Sequence, residues 1–342
     1  MRAATARGLG VLFVAALVGL PAAACGTTPG SPPTAAAPTS GSGEPDDLPV
    51  PRDITTSGAM TIAASPNPDW AVAAAGSVWV SGVGPGLQRY DATTGAVTAE
   101  LEIYSVCSAM DEGLGSIWAM SCDYGSPKLV RIDAATGAST AEIPMPARLP
   151  AESSVGAGEG AVWLLTSGGP RQLLAVDPGT NAVARTLPAP EGAKAVRAGL
   201  GAVWVSVSTL GQVVRLDPAS GQVVATVAVG RGASFLSLGP DALWVINASD
   251  GTVSRLDPAT NSVTATIKVS SGGISGGDIA ASSDAVWVRV TDDALAVRID
   301  PRTNAVVDRL GPATGSGGVA IADASVWITA HDSQKAIWRL DR

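Results

Sequence analysis

The 342-residue chain carries few side chains of the kinds that act as bases, nucleophiles or metal ligands. Its single histidine, His331, is followed by Asp332, and the sequence has neither a His-Glu-x-x-His motif nor a Cys-x-x-Cys pair. Asp292 and Asp293 are adjacent carboxylates, but they lack the spacing of a calcium-binding loop. We therefore predict no catalytic residue, no metal site and no cofactor, and we interpret His331 as a solvated loop residue.

The composition is typical of a chain of short strands and turns. Forty glycines and 24 prolines favour many turns over long helices. The formal net charge is −8 and no run of basic residues occurs, which argues against a nucleic-acid partner. The chemistry of the chain must therefore be sought in loops that short strands position.

The N-terminus is predicted to be an export signal and is excluded from the fold. Arg2 and Arg7 precede an uncharged apolar stretch, residues 8–20, which is shorter than the about 20 residues that span a bilayer. The small residues before Cys25 resemble the lipobox of bacterial lipoproteins, a family in which the cysteine is acylated. This resemblance implies a lipid anchor through Cys25 at the outer face of the cell membrane. Ordinary cleavage, which would release a secreted protein, is the alternative.

The rest of the chain divides into a linker and one domain. Residues 1–24 form the predicted signal peptide, and residues 25–52 are rich in Pro, Gly, Ser and Thr with few large apolar side chains. Such a segment cannot bury enough surface to fold, so we predict a flexible linker. Residues 53–342 are predicted to form the folded domain.

Two cysteines remain for the folded domain. Cys107 and Cys122 flank the turn at residues 113–115, on what should be adjacent antiparallel strands. Disulfides persist in exported proteins, so we predict that these two cysteines are bonded within one structural unit. Two buried free thiols are the alternative.

A tryptophan recurs between small aliphatic residues at intervals of 39 to 45 residues. One repeat is clearest at residues 199–229, where short apolar runs alternate with turns and a run of small residues precedes the tryptophan. Four strand-like runs in a repeat of this length predict a β-propeller blade. The seven tryptophans are Trp79, Trp118, Trp163, Trp204, Trp244, Trp287 and Trp327.

In six of the repeats, the third strand-like run is followed by the same turn sequence. It begins with Asp and ends with Gly or Asn, as in residues 217–221, and each ending residue tolerates the left-handed conformation. An arginine two positions before the Asp recurs in most repeats, and we interpret these arginines as members of structural ion pairs; Ala175 is the exception. The chain stops where the seventh turn would begin, and residues 57–62 match the missing outer strand. The sequence thus predicts an all-β, seven-bladed propeller with four-stranded blades, whose N-terminal strand completes the last blade.

These motifs resemble those of the YVTN-type and streptogramin-lyase-like propellers of bacterial envelopes. The resemblance covers residues 53–342 and depends on the repeated Val-Trp-Val and Arg-x-Asp-Pro-x-Thr/Ser-Gly/Asn motifs. It implies either a binding protein or a lyase that opens virginiamycin B with histidine and glutamate near magnesium. His331 falls one strand too late to match that lyase histidine, so the lyase chemistry does not carry over to this chain.

Irregular residues in the loops at one rim of the ring are the candidates for ligand binding. They fall in the loops that enter the inner strands or in the loops after the tryptophan strands, and these loop sets should share one face. The candidates are Trp70, Tyr124, Arg148, Glu152, Arg197, Arg231, Phe235, Asp278, Asp292, His331 and Asp332.

From this pattern we expect a membrane-tethered, extracytoplasmic, monomeric propeller that binds an envelope protein or a small ligand without catalysis. The alternative is a streptogramin-lyase-like enzyme that uses rim carboxylates.

Overall fold

The computed structural model describes residues 48–342 except residues 64–66, 84–85 and 124. The predicted signal peptide, Cys25, most of the predicted linker and Tyr124 lie outside the described residues. The described segments contain 29 β-strands and one 3-10 helix, Ile54–Thr56. None of their helices is long and apolar enough to cross a membrane.

The strands form seven sheets of four antiparallel strands, and one sheet gains a fifth strand. Two strands precede the ring, β1 (Arg52–Asp53) and β2 (Met60–Ala63). The first blade is β3 (Ala71–Ala74), β4 (Ser77–Val83), β5 (Gly86–Asp91) and β6 (Val97–Glu102). The second is β7 (Asp111–Gly113), β8 (Ser116–Ser121), β9 (Lys128–Asp133) and β10 (Ser139–Pro144). The third is β11 (Val155–Gly158), β12 (Ala161–Leu165), β13 (Gln172–Asp177) and β14 (Ala182–Pro188).

The remaining four blades continue the same order. The fourth is β15 (Ala193–Gly199), β16 (Ala202–Val207), β17 (Gln212–Leu216) and β18 (Val223–Ala228). The fifth is β19 (Ala233–Leu238), β20 (Leu243–Asn247), β21 (Thr252–Asp257) and β22 (Ser262–Lys268). The sixth is β23 (Ile279–Ala281), β24 (Val286–Arg289), β25 (Ala296–Asp300) and β26 (Ala305–Gly311). The seventh contains β27 (Val319–Ile321), β28 (Ser325–Ala330) and β29 (Ala336–Asp341).

The first strands of neighbouring blades contact one another around the whole ring and enclose a central channel. This arrangement confirms the predicted seven-bladed propeller. Small residues are needed where these strands converge. A Cβ on Gly113 would lie 2.2 Å from the carbonyl oxygen of Ala157 in the next blade, so a larger residue would push the two blades apart.

The N-terminal strand closes the ring, as the sequence predicts. Strand β2 pairs antiparallel with β29, with Met60 opposite Arg339, and supplies the outer strand of the seventh blade. Strand β1 pairs in parallel with β26 at the outer edge of the sixth blade, with Arg52 opposite Leu310. The guanidinium of Arg52 donates to both carboxylate oxygens of Asp308, at 3.0 and 2.5 Å. Two consecutive N-terminal strands therefore join the last two blades.

Each repeated tryptophan is buried and packs between blades. A Cβ on Gly137, in the turn of the second blade, would lie 3.0 Å from Cη2 of Trp79 in the first. Trp79 of the first blade thus contacts the turn of the second blade directly.

The repeated arginines are structural, but most of their partners are not carboxylates. The Arg131 guanidinium lies 5.1 Å from the ring centroid of Trp118 and donates to the Pro178 carbonyl of the next blade at 2.7 Å. Arg215 repeats this pattern with Trp204 at 5.1 Å and Pro258 at 2.6 Å. Arg255 and Arg339 do pair with carboxylates, Asp241 at 3.0 Å and Asp341 at 2.8 Å. At Arg131 and Arg215, cation–π contacts and hydrogen bonds between blades take the place of the predicted ion pairs.

The repeated turn has the predicted geometry. In the first blade, Oδ1 of Asp91 accepts the backbone N–H of Thr93 at 3.0 Å and of Thr94 at 2.7 Å. The closing residues adopt positive φ, 73° at Gly95 and 52° at Asn181. The hydrogen bonds lower the pKa of Asp91 below its usual value.

The predicted disulfide is present. Cys107 and Cys122 are bonded, with their Cα atoms 5.8 Å apart. The bond joins the segment before β7 to the segment after β8 within the second blade. A disulfide is compatible with an extracytoplasmic location.

Candidate functional site

The two loop sets that carry the candidates share one face of the ring, here called the upper face. In the seventh blade, the loop after β28 meets the loop before β27, where the His331 N–H donates to the Ser316 carbonyl at 3.2 Å. In the fifth blade, Arg231 and Asp250 join the equivalent loops by an ion pair of 2.7 Å. The repeated turns lie on the opposite side, the lower face. The expected common rim is thus confirmed.

Trp70 and Phe235 close the channel beneath the upper face and are called the aromatic plug. Their ring centroids are 5.2 Å apart, and the residues are 2% and 3% exposed. Trp70 precedes the inner strand of the first blade and Phe235 lies in that of the fifth, on opposite sides of the ring. Nζ of Lys194 lies 5.7 Å from the Phe235 centroid. Both candidates are therefore largely inaccessible from solvent.

Above and beside the plug, charged residues from four blades converge in what we call the mouth cluster. Nε2 of His331 lies 3.5 Å from Oδ1 of Asp69, and Nδ1 of His331 lies 3.3 Å from Oδ1 of Asp332. The histidine thus contacts two carboxylates from the first and seventh blades. The mouth cluster consists of Asp69, Glu152, Asp278, Arg289, His331 and Asp332.

Among the carboxyl groups of this cluster, Asp69 has the pKa that departs most from its usual value. Burial raises the pKa of Asp69 to about 7, and the carboxylates of Glu152, Asp278 and Asp332 add to the rise. The buried guanidinium of Arg289 opposes it. Asp69 can therefore exchange a proton near neutral pH.

Arg289 is the buried positive charge of the mouth cluster. It is fully buried, and its Nε donates to the Thr329 carbonyl at 3.1 Å while Nη2 donates to the Gly315 carbonyl at 2.7 Å. Nη1 donates to the Leu295 carbonyl. Burial lowers the pKa of Arg289 to about 10, against the influence of Asp278, Asp332 and Asp69. These bonds fix the upper loops of the sixth and seventh blades.

Asp278 lies in the channel wall below the rim. Its Oδ1 accepts the Ile279 N–H at 2.8 Å, and its Oδ2 accepts the Val319 N–H of the next blade at 3.1 Å. Burial raises its pKa to about 6, although these hydrogen bonds, Arg197 and Arg289 all favour the carboxylate. Asp278 therefore bridges two inner strands.

The other candidates spread over the upper face and the channel. Arg148 lines a cavity of about 280 Å³ beside the disulfide. Arg231 is exposed, and Asp292 accepts a hydrogen bond from the Ser275 hydroxyl at 3.3 Å. Arg197 lines the channel. The described candidates thus form a mouth cluster with outlying residues, not one compact pocket.

Sequence reasoning missed Asp69 and Arg289. Arg289 had a recognisable signal, because the second residue after the tryptophan is uncharged in the other six repeats, as at Ser81 and Thr329. The only sequence feature that pointed to Asp69 was its position next to Trp70, a tryptophan that lies outside the repeat.

The mouth cluster can hold and transfer protons and can attract cations. Among the described residues, no group of three or more His, Cys, Asp or Glu side chains is placed to hold a metal ion.

No family model and no curated protein sequence matches the chain. Its fold is similar to that of U3-55K, with a TM-score of 0.69 and 8% identity over 85% of this chain and 99% of the other. It is also similar to BamB from Moraxella catarrhalis, with a TM-score of 0.52 and 14% identity over 79% of this chain and 82% of the other. At these identities the likenesses show the β-propeller fold alone.

Proposed function

We propose that this protein is an extracytoplasmic, membrane-tethered propeller that binds an envelope protein through the mouth cluster and the loops around it. The convergence of His331, Asp69 and Asp332 at the centre of the upper face is the observation that carries the proposal. Loops on a rigid scaffold are the usual site of recognition, and the tether would hold this face where envelope proteins are concentrated.

The chemistry of the upper face supports a protein partner. Glu152, Asp292 and Asp332 are exposed on the upper face, and Asp332 lies beside the partly buried His331, so the face offers hydrogen-bond acceptors to a basic partner. A propeller with BamB among its structural neighbours fits a protein-interaction role. The lipid anchor through Cys25, the monomeric state and the absence of catalysis belong to the same proposal.

The test is an in-cell cross-linking pull-down with the full-length protein, followed by mass spectrometry of the partners. Arg231→Ala on the upper face has a matched control in Arg302→Ala on the lower face. The two arginine side chains are 81% and 80% exposed, and each pairs with an aspartate. We expect one envelope protein to be recovered repeatedly, lost with Arg231→Ala plus Glu152→Gln, and retained with Arg302→Ala. Recovery that is indifferent to the upper-face changes would contradict the proposal.

A second candidate function is carbon–oxygen lyase chemistry on a streptogramin-like substrate. It is favoured by Asp69, whose pKa of about 7 suits general acid–base catalysis, and by its contact with His331. Turnover of virginiamycin B that is abolished by both Asp69→Asn and His331→Ala would establish it. Turnover that survives both changes, or none with the unmodified protein, would reject it.

A further inference from the structure

Below the aromatic plug, the channel contains a cavity of about 300 Å³ that the rim-binding proposal does not use. Its lining comes from the inner strands of all seven blades, and eight of the lining residues are alanines. Glu112, whose side chain is exposed, marks its open side, and Met110 and the plug close the other end. We call this space the channel cavity.

Two of the charged residues of the channel cavity, Asp111 and Arg197, are departures from the repeat. On each inner strand, one residue lies directly opposite the repeated tryptophan. At four of these seven positions the residue is small or aliphatic, namely Val72, Gly156, Ala280 and Ala320. The equivalent positions of the second, fourth and fifth blades hold Asp111, Arg197 and Ser237. Since the ring closes with alanine or glycine here, the architecture does not require these polar side chains.

Most of the polar groups are held rigidly by the backbone. Oδ2 of Asp111 accepts the Ala157 N–H at 2.8 Å, and Asp278 accepts two backbone N–H groups. Nη1 of Arg197 donates to the carbonyls of Val155 and Val196. Such fixed groups are preorganised for a ligand.

The lining is negatively charged when its carboxylates ionise. Its charged residues are Asp111, Glu112, Asp278 and Arg197, so three carboxylates face one guanidinium. Burial raises the pKa of each carboxyl, and the neighbouring Asp111 also raises that of Glu112. When all three carboxylates are ionised, two further positive charges would balance the lining.

We propose that the channel cavity binds a small aliphatic amine, with its ammonium group among Asp111, Glu112 and Asp278 and its carbon chain against the alanine wall. An ammonium group supplies three N–H donors, which suits a cavity lined by several carboxylate acceptors. A volume of about 300 Å³ is at the small end of ligand cavities, so the amine must be short. The site shares Asp278 with the mouth cluster, but Asp111 and Glu112 do not belong to that cluster, so Glu112→Gln tests the cavity separately from the proposed partner.

The probe is 1,4-diaminobutane, titrated calorimetrically into the full-length protein near pH 6, with 1,4-butanediol as the uncharged control. We expect one saturable site with a Kd of about 1 mM or tighter and no binding of the diol. Because bound ammonium favours the ionised carboxylates, binding should release protons, which is measured by repeating the titration in buffers of different ionisation enthalpy.

Two variants and one control locate the site. Glu112→Gln and Asp278→Asn should each weaken binding at least about 10-fold, a change that corresponds to the loss of one charge-assisted contact. Glu102→Gln, which removes an exposed charge from the outer strand β6, should leave the Kd unchanged. Glu112 is exposed, so its variant keeps the test valid if Asp278→Asn does not fold. The absence of saturation, equal binding of the diol, or equal effects of Glu102→Gln and Glu112→Gln would overturn the proposal.

Discussion

At the residue scale, one exchange shows how the tryptophan–arginine contact is built. In the fourth blade, Arg215 on the third strand lies opposite Ala225 on the outer strand and covers Trp204. In the third blade the pair is reversed. Ala175 lies opposite Arg185, whose guanidinium is 5.2 Å from the centroid of Trp163. The departure at Ala175 is thus compensated on the adjacent strand.

This exchange predicts a rescue. Arg185→Ala removes the cation–π contact and the hydrogen bonds to the carbonyls of Pro218 and Ala219, so it should lower the free energy of unfolding by about 1–3 kcal/mol. Adding Ala175→Arg recreates the arrangement of the fourth blade and should recover most of the loss. Denaturant titrations of the two variants make the comparison. A double variant no more stable than Arg185→Ala would show that the two positions are not equivalent.

Asp69 predicts a pH dependence of stability. Its folded pKa of about 7 exceeds the usual value of 3.8, so the folded state favours the neutral carboxyl. The resulting stabilisation is fully present below about pH 4 and is lost as the pH rises through 7. Asp69→Asn should therefore gain stability over the unmodified protein between pH 4 and 8, by a few kcal/mol at most. Thermal unfolding across that range measures the gain, and a difference that stays constant with pH would contradict this account.

At the scale of elements, the N-terminal segment holds the ring closed. Ile54, between β1 and β2, is fully buried in a cluster that includes Leu310 of the sixth blade and Trp338 of the seventh. The segment therefore adds apolar packing to the backbone pairing of β2. Its attachment joins residues about 260 to 280 positions apart in the chain.

A matched pair of aliphatic residues tests this closure. Ile54→Ala should lower the free energy of unfolding by about 2–5 kcal/mol, because it leaves a cavity between two blades. Val50→Ala changes a residue that is 85% exposed and should alter stability by less than about 0.5 kcal/mol. Equal effects of the two substitutions in denaturant titrations would refute the closing role. Deletion of residues 53–64 should likewise cost far more stability than shortening the linker.

The disulfide of the second blade is predicted to contribute to the stability of the protein. Cys107 and Cys122 are 15 residues apart, and a crosslink over such a loop contributes about 3 kcal/mol in the chain-entropy model. Replacing both with serine should therefore lower the free energy of unfolding by about 2–4 kcal/mol. An intact mass that shows two alkylated thiols without reductant would instead establish the free cysteines.

Elements were predictable from the sequence because each is specified locally. The tryptophan spacing, the Asp turns, the closing strand and the cysteine pair each recur or match over short segments. The mouth cluster was only partly predictable. Asp69 and His331 are 262 positions apart, and they meet only because the ring closes. The role of Arg289 likewise depends on carbonyls that two loops and strand β28 contribute.

At the scale of the whole molecule, the plug divides the channel into two environments. The upper face has the mouth cluster and the irregular loops, whereas the lower face has the repeated turns, in which Asp side chains are occupied by backbone N–H groups. The regular turns offer the same surface in six of the seven blades, but the upper loops differ from blade to blade. Specific recognition is therefore expected on the upper face.

Site-specific photo-cross-linking of the full-length protein in cells tests this claim most directly. A photoreactive residue is placed in turn at exposed positions of the upper face, Arg231 and Asp292, and of the lower face, Arg302 and Asp323. The account predicts a cross-linked envelope protein of one mass from both upper positions and none from the lower positions. Cross-links of that mass from the lower positions alone, or equally from both faces, would contradict it.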